Sequence, residues 1–394
     1  MADDEGPAGS ARWTREGGLG SQRAAFDVPD EVAYFDTASL APMLHSVRAA
    51  GEAALRRRAA PWEIGADVWF DEADRLRSLF AALVGGDADG VALVPASSYG
   101  LAVAAGNLRL DPRRRILVLA EEYPSGIYTW RRLAGDTGTQ LRTVAREPGQ
   151  PWAEAVLAAL DEQVGLVSVP NVHWTDGAFV DLDAVAARSH EVGARLVIDA
   201  SQSVGALPLD VNVLRPDFVA CVGYKWLLGP FGRGYLWVAG EHRAGRPLEE
   251  NWIVRTGSED FGGLVGYSEE YRPGARRYDQ GQRTLLELTP MAIAALEQIL
   301  AWGVARISAT LGQVTADIAD RIAALGLDAP AAEPGSRHML GLRLPEQARQ
   351  RVVSALEQAN CFAAVRGASL RVAPHLHVTP ADVDRLVEVL AGAL

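Results

Sequence analysis

Asp217-Phe218-Val219-Ala220-Cys221-Val222-Gly223-Tyr224-Lys225-Trp226-Leu227-Leu228-Gly229-Pro230 is an apolar run that reads as a buried strand, places a lysine just past its end and is stopped by Gly-Pro. Lys225 is the only lysine in a chain with 38 Lys+Arg residues, so a primary amine has been kept where arginine serves everywhere else. Arginine supplies charge but cannot form a Schiff base. A lysine left over from an arginine-rich composition belongs on a solvated face; this one lies in an apolar, glycine-rich segment. Open α/β sheets hold ligands at the carboxyl ends of their strands, which puts this amine in a dry, fixed place.

Outward from that run, short apolar stretches at 91–94, 115–119, 141–144, 164–169, 195–198, 217–222 and 234–238 alternate with helical patterns. Such alternation predicts an α/β fold with a mostly parallel central sheet sandwiched by helices. The stretch 234–238 follows Lys225 too closely for a parallel crossover, so it is expected to return antiparallel. Residues 45–84 read as mostly helical, with Val68, Leu76, Leu79, Phe80 and Leu83 three and four positions apart. A long helical pattern runs from 285 to 311 and onward. Strand-like runs at 339–344, 363–365 and 369–372 and a closing helix at 383–390 follow, a smaller α+β C-terminal domain. The expected division is an arm over 1–30, becoming ordered only near 32–36, then a large domain over 31–284 whose first segment lies partly in the small domain, and the small domain over 285–394.

A length of 394 residues with 48% hydrophobic and 22% charged content describes a globular chain of more than one ordinary domain. Its net charge of −12 argues against nucleic acid or an anionic membrane as the main partner. No apolar stretch is long enough to span a bilayer and the first residues form no signal-peptide core, so a cytoplasmic location is expected. Cys221 and Cys361 give neither a metal spacing nor a disulfide framework and the histidines are scattered, so no metal is expected.

Leu196-Val197-Ile198-Asp199-Ala200-Ser201-Gln202 is a strand ending in a carboxylate. Asp199 either caps the next helix or faces a cationic ring nitrogen; a lysine at a neighbouring strand end favours the ring. Gln202, one turn on, can bond to a ring hydroxyl. Val91-Ala92-Leu93-Val94-Pro95-Ala96-Ser97-Ser98 runs a strand into a helix start, where free N–H groups and the Ser97 and Ser98 hydroxyls make a phosphate cradle or a plain cap. Tyr123 follows another strand end and is placed to stack on a ring. His173 and Trp174 follow a third; either can reach a cofactor or substrate, and a structural histidine is the competing reading. Arg371, inside a short apolar run, wants a bidentate carboxylate from the protein or from an amino acid.

These pieces resemble the class V aminotransferase family of fold-type I pyridoxal-phosphate enzymes, which includes cysteine desulfurases, kynureninase-like lyases and isopenicillin-N-epimerase-like proteins. The likeness runs from Tyr34-Phe35-Asp36 to the Arg371 segment and is most specific in 197–202 and 223–230. It implies the cofactor pyridoxal 5'-phosphate, with Lys225 bonded to its aldehyde, Asp199 on the pyridine nitrogen, Gln202 on the phenolic oxygen, Ser98 on the phosphate and Tyr123 against the ring. Arg371 matches the arginine that takes the substrate carboxylate. The resemblance also implies a homodimer, with Tyr278-Asp279-Gln280-Gly281-Gln282 as the loop a neighbour contributes near the phosphate. Members often carry serine or threonine and histidine where this chain has Val222 and Tyr224, so phosphate contacts are expected to differ there. Desulfurases need a cysteine on a late mobile loop, and no cysteine lies between Cys221 and Cys361.

The expected substrate is a small molecule, an amino acid. Transamination is the first expectation because it needs only the elements named. A lyase cleaving a C–S or other side-chain bond, an epimerase, and a cofactor-binding regulatory protein without turnover are the alternatives.

Overall fold

The computed structural model describes residues 12–326 and 338–394. Its strands are β1 (Ala33–Tyr34), β2 (Val91–Val94), β3 (Arg115–Leu119), β4 (Gln140–Val144), β5 (Val164–Pro170), β6 (Arg195–Asp199), β7 (Phe218–Val222), β8 (Gly234–Val238), β9 (Leu340–Arg343), β10 (Cys361–Phe362), β11 (Ala364–Arg366) and β12 (Ser369–Val372). Seven of them make the main sheet in the order β2-β8-β7-β6-β5-β3-β4. β8 runs antiparallel to both its neighbours and every other pair is parallel.

Both faces of this sheet are covered, which is why its strands read as nearly continuous apolar runs. On one face Ile116, Val118, Leu166, Val197 and Phe218 pack with Trp130 and Leu101 of the helices Pro124–Thr137 and Ser97–Asn107. On the other, Leu117, Leu119, Leu196, Ile198 and Val219 pack with Val156 and Val185 of Trp152–Ala159 and Leu182–Glu191. The two-residue strand period thus divides one sequence between two cores. Asp199 and Ala220 are partners in register, so the ends of β6 and β7 open on the same edge of the sheet.

A second core lies under the antiparallel sheet β11-β12-β9, packed with Val304–Ala323, Glu346–Gln358 and Pro380–Ala393. The N-terminal segment is stitched to it: β1 pairs with β10, Asp36 bridges to Ala373, and Ala33 and Phe35 are buried there. Order starts earlier than the 32–36 expected from the polar composition. Trp13 is buried in this core, Arg12 pairs with Asp317 at 2.7 Å, and the Leu19 N–H donates to Thr310 Oγ1 at 2.7 Å. One tryptophan and a few long-range bonds outweigh a local composition that suggests an arm. The part of the arm before residue 12 lies outside the described residues.

The helical pattern from 285 onward breaks into Leu288–Trp302 and Val304–Ala323, bent by 77° at Gly303, whose φ is +81°. The first of the pair lies against His45–Arg58 and Ala66–Val84, with Leu296 and Ile299 in the main core. The second carries Val314 and Ile318 into the smaller core. The boundary drawn at 284/285 therefore falls ahead of a helix that shares the large core. Among the described residues no single helix is long and apolar enough to cross a membrane.

Candidate functional site

A cleft at the carboxyl ends of β5, β6 and β7 is lined by Ser97, Glu122, Tyr123, Trp174, Asp199, Ser201, Gln202, Tyr224 and Lys225, with Pro170, Val172 and Val222 as its apolar walls. Seven of the eleven residues singled out from sequence therefore meet here: Lys225, Asp199, Gln202, Tyr224, Tyr123, Trp174 and Ser97.

Asp199 accepts the Ser201 N–H at 3.0 Å, and burial raises its carboxyl above the usual range. Burial lowers the Lys225 ammonium to about 8, with the Asp199 charge pulling the other way. Desolvation disfavours the charge on each, and a cation set against Asp199 is what the carboxylate lacks. Lys225 Nζ stands 5.6 Å from the centroid of the Tyr123 ring and 6.0 Å from that of Tyr224. Tyr224 packs on Phe231, with ring centroids 4.5 Å apart.

The lysine segment is clamped from behind. An indole N–H only donates, so Trp226 Nε1 fixes the Gln202 amide with its oxygen inward at 2.8 Å; the NH2 group donates one proton to the Ala38 carbonyl at 3.1 Å and keeps the second uncommitted. His338 donates from Nε2 to the Gln202 carbonyl at 2.6 Å and meets Trp226 edge-on, with centroids 4.3 Å apart. Gly205, at φ +97°, lies so near the Trp226 carbonyl that a Cβ would collide with it. Gly205→Ala is expected to cost about 1–3 kcal/mol from the left-handed backbone and the collision, read as a lowered unfolding midpoint. An unchanged midpoint would show that the contact is not felt.

His173 does not line the cleft. It is buried on Trp152, with centroids 5.2 Å apart, and its nitrogens meet Thr175 Oγ1 at 2.8 Å and the Ala120 carbonyl at 3.1 Å. Trp174 Nε1 donates to the Glu121 carbonyl at 2.7 Å, so these two neighbours hold the turn that carries Tyr123. Ser98 is exposed at the helix start while Ser97 is buried in the cleft wall. No side chain caps that helix of eleven residues, leaving its first N–H groups for an anion.

Arg371 lies beside the cleft rather than in its wall. It donates to the Trp174 carbonyl at 2.8 Å, to Asp36 at 2.9 Å and to Ser39 Oγ at 2.6 Å, and its buried Nε has no partner. Sequence reasoning missed Arg366, which donates to the same Ser39 Oγ at 3.0 Å, so two guanidinium groups converge on one hydroxyl beside Asp36. Alternation along the β11–β12 hairpin was the available signal. Gly281 stands outside the cleft of its own chain, its N–H bonded to Glu249 Oε2 at 2.6 Å. The adjoining Asp279 is buried against Arg77 and Arg283 and accepts the Leu93 N–H at 2.8 Å, tying this loop to β2. Among the described residues one group of possible metal ligands occurs, Asp217, Glu241 and His242, and Arg195 bridges its two carboxylates at 2.9 and 3.0 Å.

A lone lysine and a half-buried aspartate at adjacent strand ends, an uncapped helix start and an aromatic ring over the lysine suit a phosphorylated pyridine aldehyde, and with this sheet they define a fold-type I pyridoxal-phosphate enzyme. The chain belongs to the class V aminotransferase family, whose model, Aminotransferase class-V, matches residues 34–377. Among curated proteins it is 27% identical to "Uncharacterized aminotransferase YcbU" of Bacillus subtilis, over 80% of this chain and 82% of that one. It is 30% identical to a kynureninase of Deinococcus radiodurans, over 70% and 68%. To the isopenicillin N epimerase of Streptomyces clavuligerus it is 28% identical, over 83% and 85%. Of solved structures, the cystine C–S lyase C-DES in complex with cysteine persulfide superposes with a TM-score of 0.83 at 19% identity, over 92% of this chain and 98% of that one.

Proposed function

We propose that the protein transforms an amino acid at its Cα and acts as an aminotransferase. The observation that carries this reading is Lys225, the only lysine, with its ammonium lowered to about 8 in a cleft it shares with Asp199. When bound, pyridoxal phosphate supplies an electron-withdrawing ring that weakens the bonds at Cα. Lys225 would hold the cofactor through its Nζ, and its free amine, with a proton affinity that suits neutral pH, would take the Cα proton as a base. Asp199 would face the ring nitrogen and keep it charged, Gln202 would give its second N–H to the ring oxygen, and Tyr123 would cover the ring. Ser97, Ser98 and the first N–H groups of their helix take the phosphate. Arg371, whose Nε has no partner, takes the substrate carboxylate. Trp174 walls the substrate side and His173 holds the turn behind it.

A homodimer belongs to this reading, with the Gly281 loop reaching a neighbour's phosphate. Phe231 and Tyr267 are 71% and 91% exposed, and aromatic rings left so open support a covering second copy.

A second reading, a lyase that cleaves the substrate side chain, uses the same residues and is favoured by the kynureninase likeness. Persulfide chemistry on a protein thiol is not: Cys221 and Cys361 are both buried, and burial pushes the Cys361 thiol up to about 12. Incubation of the cofactor-loaded protein with a panel of amino acids, cysteine conjugates included, tests both. Keto acid with aminated cofactor is expected. Pyruvate with ammonia and an expelled thiol replaces transfer by elimination, and retained substrate inverted at Cα replaces it by epimerisation.

A further inference from the structure

Glu122 is the cleft carboxylate that the mechanism above leaves unused. It stands in a turn that the chain holds under strain: Glu121, a non-glycine residue, has φ +55°. The turn is pinned on either side of that strain by His173 on the Ala120 carbonyl and Trp174 on the Glu121 carbonyl. The effect is to put Glu122 into the wall of the cleft with Asp199, where its Oε1 accepts the Tyr123 N–H at 2.6 Å. The titratable groups around it are Asp199 from the end of β6, Lys225 and Tyr224 from the segment after β7, and Tyr123 from its own turn. Two carboxylates thus share a desolvated space with one amine.

We propose that Glu122 and Asp199 titrate as a pair carrying one negative charge in the working enzyme, Asp199 ionised against the ring nitrogen and Glu122 holding a proton. This rests on the cofactor reading above. Two like charges in one poorly solvated site do not both form readily, and the member that meets the cation keeps the charge. Burial pushes the Glu122 carboxyl up to about 8, opposed by the Tyr123 N–H and reinforced by the charge of Asp199. When Glu122 loses its proton on the alkaline side, a second negative charge enters the cleft and raises the proton affinity of Lys225 nitrogen and ring nitrogen alike. Glu122 therefore positions charge and acts through Asp199.

The test is the absorption of the pyridoxal-phosphate-loaded protein followed from about pH 6 to about pH 10. The wild type is expected to titrate in two coupled steps. Glu122→Gln, neutral throughout, is expected to titrate in one step with its midpoint lowered by about one unit. Glu122→Asp keeps two steps with the upper one displaced, and it serves if the glutamine variant does not fold. A wild-type curve of one step, or variant curves that superpose on the wild type, overturn the pairing while the cofactor reading stands. Failure of the wild type to bind pyridoxal phosphate overturns the cofactor reading itself, and the pairing with it.

Discussion

Lys225→Ala is expected to lower turnover by about 10⁴-fold or more, because it removes both the covalent anchor and the base in one step. No other lysine exists to take over, and the arginines of the chain stay protonated and cannot bond to the aldehyde. The side chain lines the cleft and supports no core cluster, so the variant should fold, and loss of activity will report chemistry. Borohydride reduction of the loaded wild type should fix the cofactor on the peptide holding Lys225, and mass analysis of the variant should find no adduct. An alanine variant within tenfold of wild-type turnover, or an adduct on another residue, would end the proposed mechanism.

A steep loss of stability in mild acid is the second large effect. His338, His375 and His377 are fully buried among Phe26, Trp226 and Tyr34. His338 and His377 donate from Nε2 to the carbonyls of Gln202 and Tyr34, so each has a bare Nδ1; His375 accepts the Leu376 N–H on Nδ1. The bare Nδ1 of His338 and of His377 has no partner, so a proton added there meets nothing that stabilises it, and in His375 the Nε2 already carries the ring's one proton, so a second would go on Nδ1 against the Leu376 N–H. Burial accordingly lowers His338 and His377 to about 4 and His375 well below the usual value.

Folded pKa values below the unfolded ones mean that the unfolded chain binds more protons as pH falls below about 6.5, so stability drops from there toward pH 4. Between pH 7 and pH 5, His338 and His377 together should cost on the order of 4 kcal/mol, a large share of what holds a domain folded. Urea unfolding at pH 7, 6 and 5 checks this, and His377→Asn should flatten the slope by up to one proton. Stability unchanged down to pH 5 would mean that the rings are reached by water or already charged. Because His338 also clamps Gln202 and Trp226 behind Lys225, cofactor loss should accompany the acid transition.

The main sheet was legible because its evidence is local. An apolar run bounded by turn residues declares a strand, and a polar residue just past its end must face the carboxyl edge of the sheet, which is how Asp199 and Lys225 stood out. The short link to β8 even carried its direction. Legibility faded where long-range packing overrode local pattern. The helical repeat through 285–311 gave no hint that Gly303 turns by 77°, and the polar start of the chain hid Trp13 in the smaller core. His173 and Trp174 looked alike in sequence, and only the fold sent one to the cleft and the other to Trp152.

What the sequence determined by itself is the chemistry at the strand ends: one amine, one carboxylate and one hydroxyl-rich helix start, each placed by the short-range rules of strands and turns. Tertiary structure alone decided which distant groups join them. Arg371 meets Asp36 across more than three hundred residues, Glu122 enters the cleft through a strained turn, and three histidines gather behind Lys225. The physical reason is that hydrophobic periodicity says which face of an element is buried but carries no record of its partner, and these pairings exist only once the cores have packed.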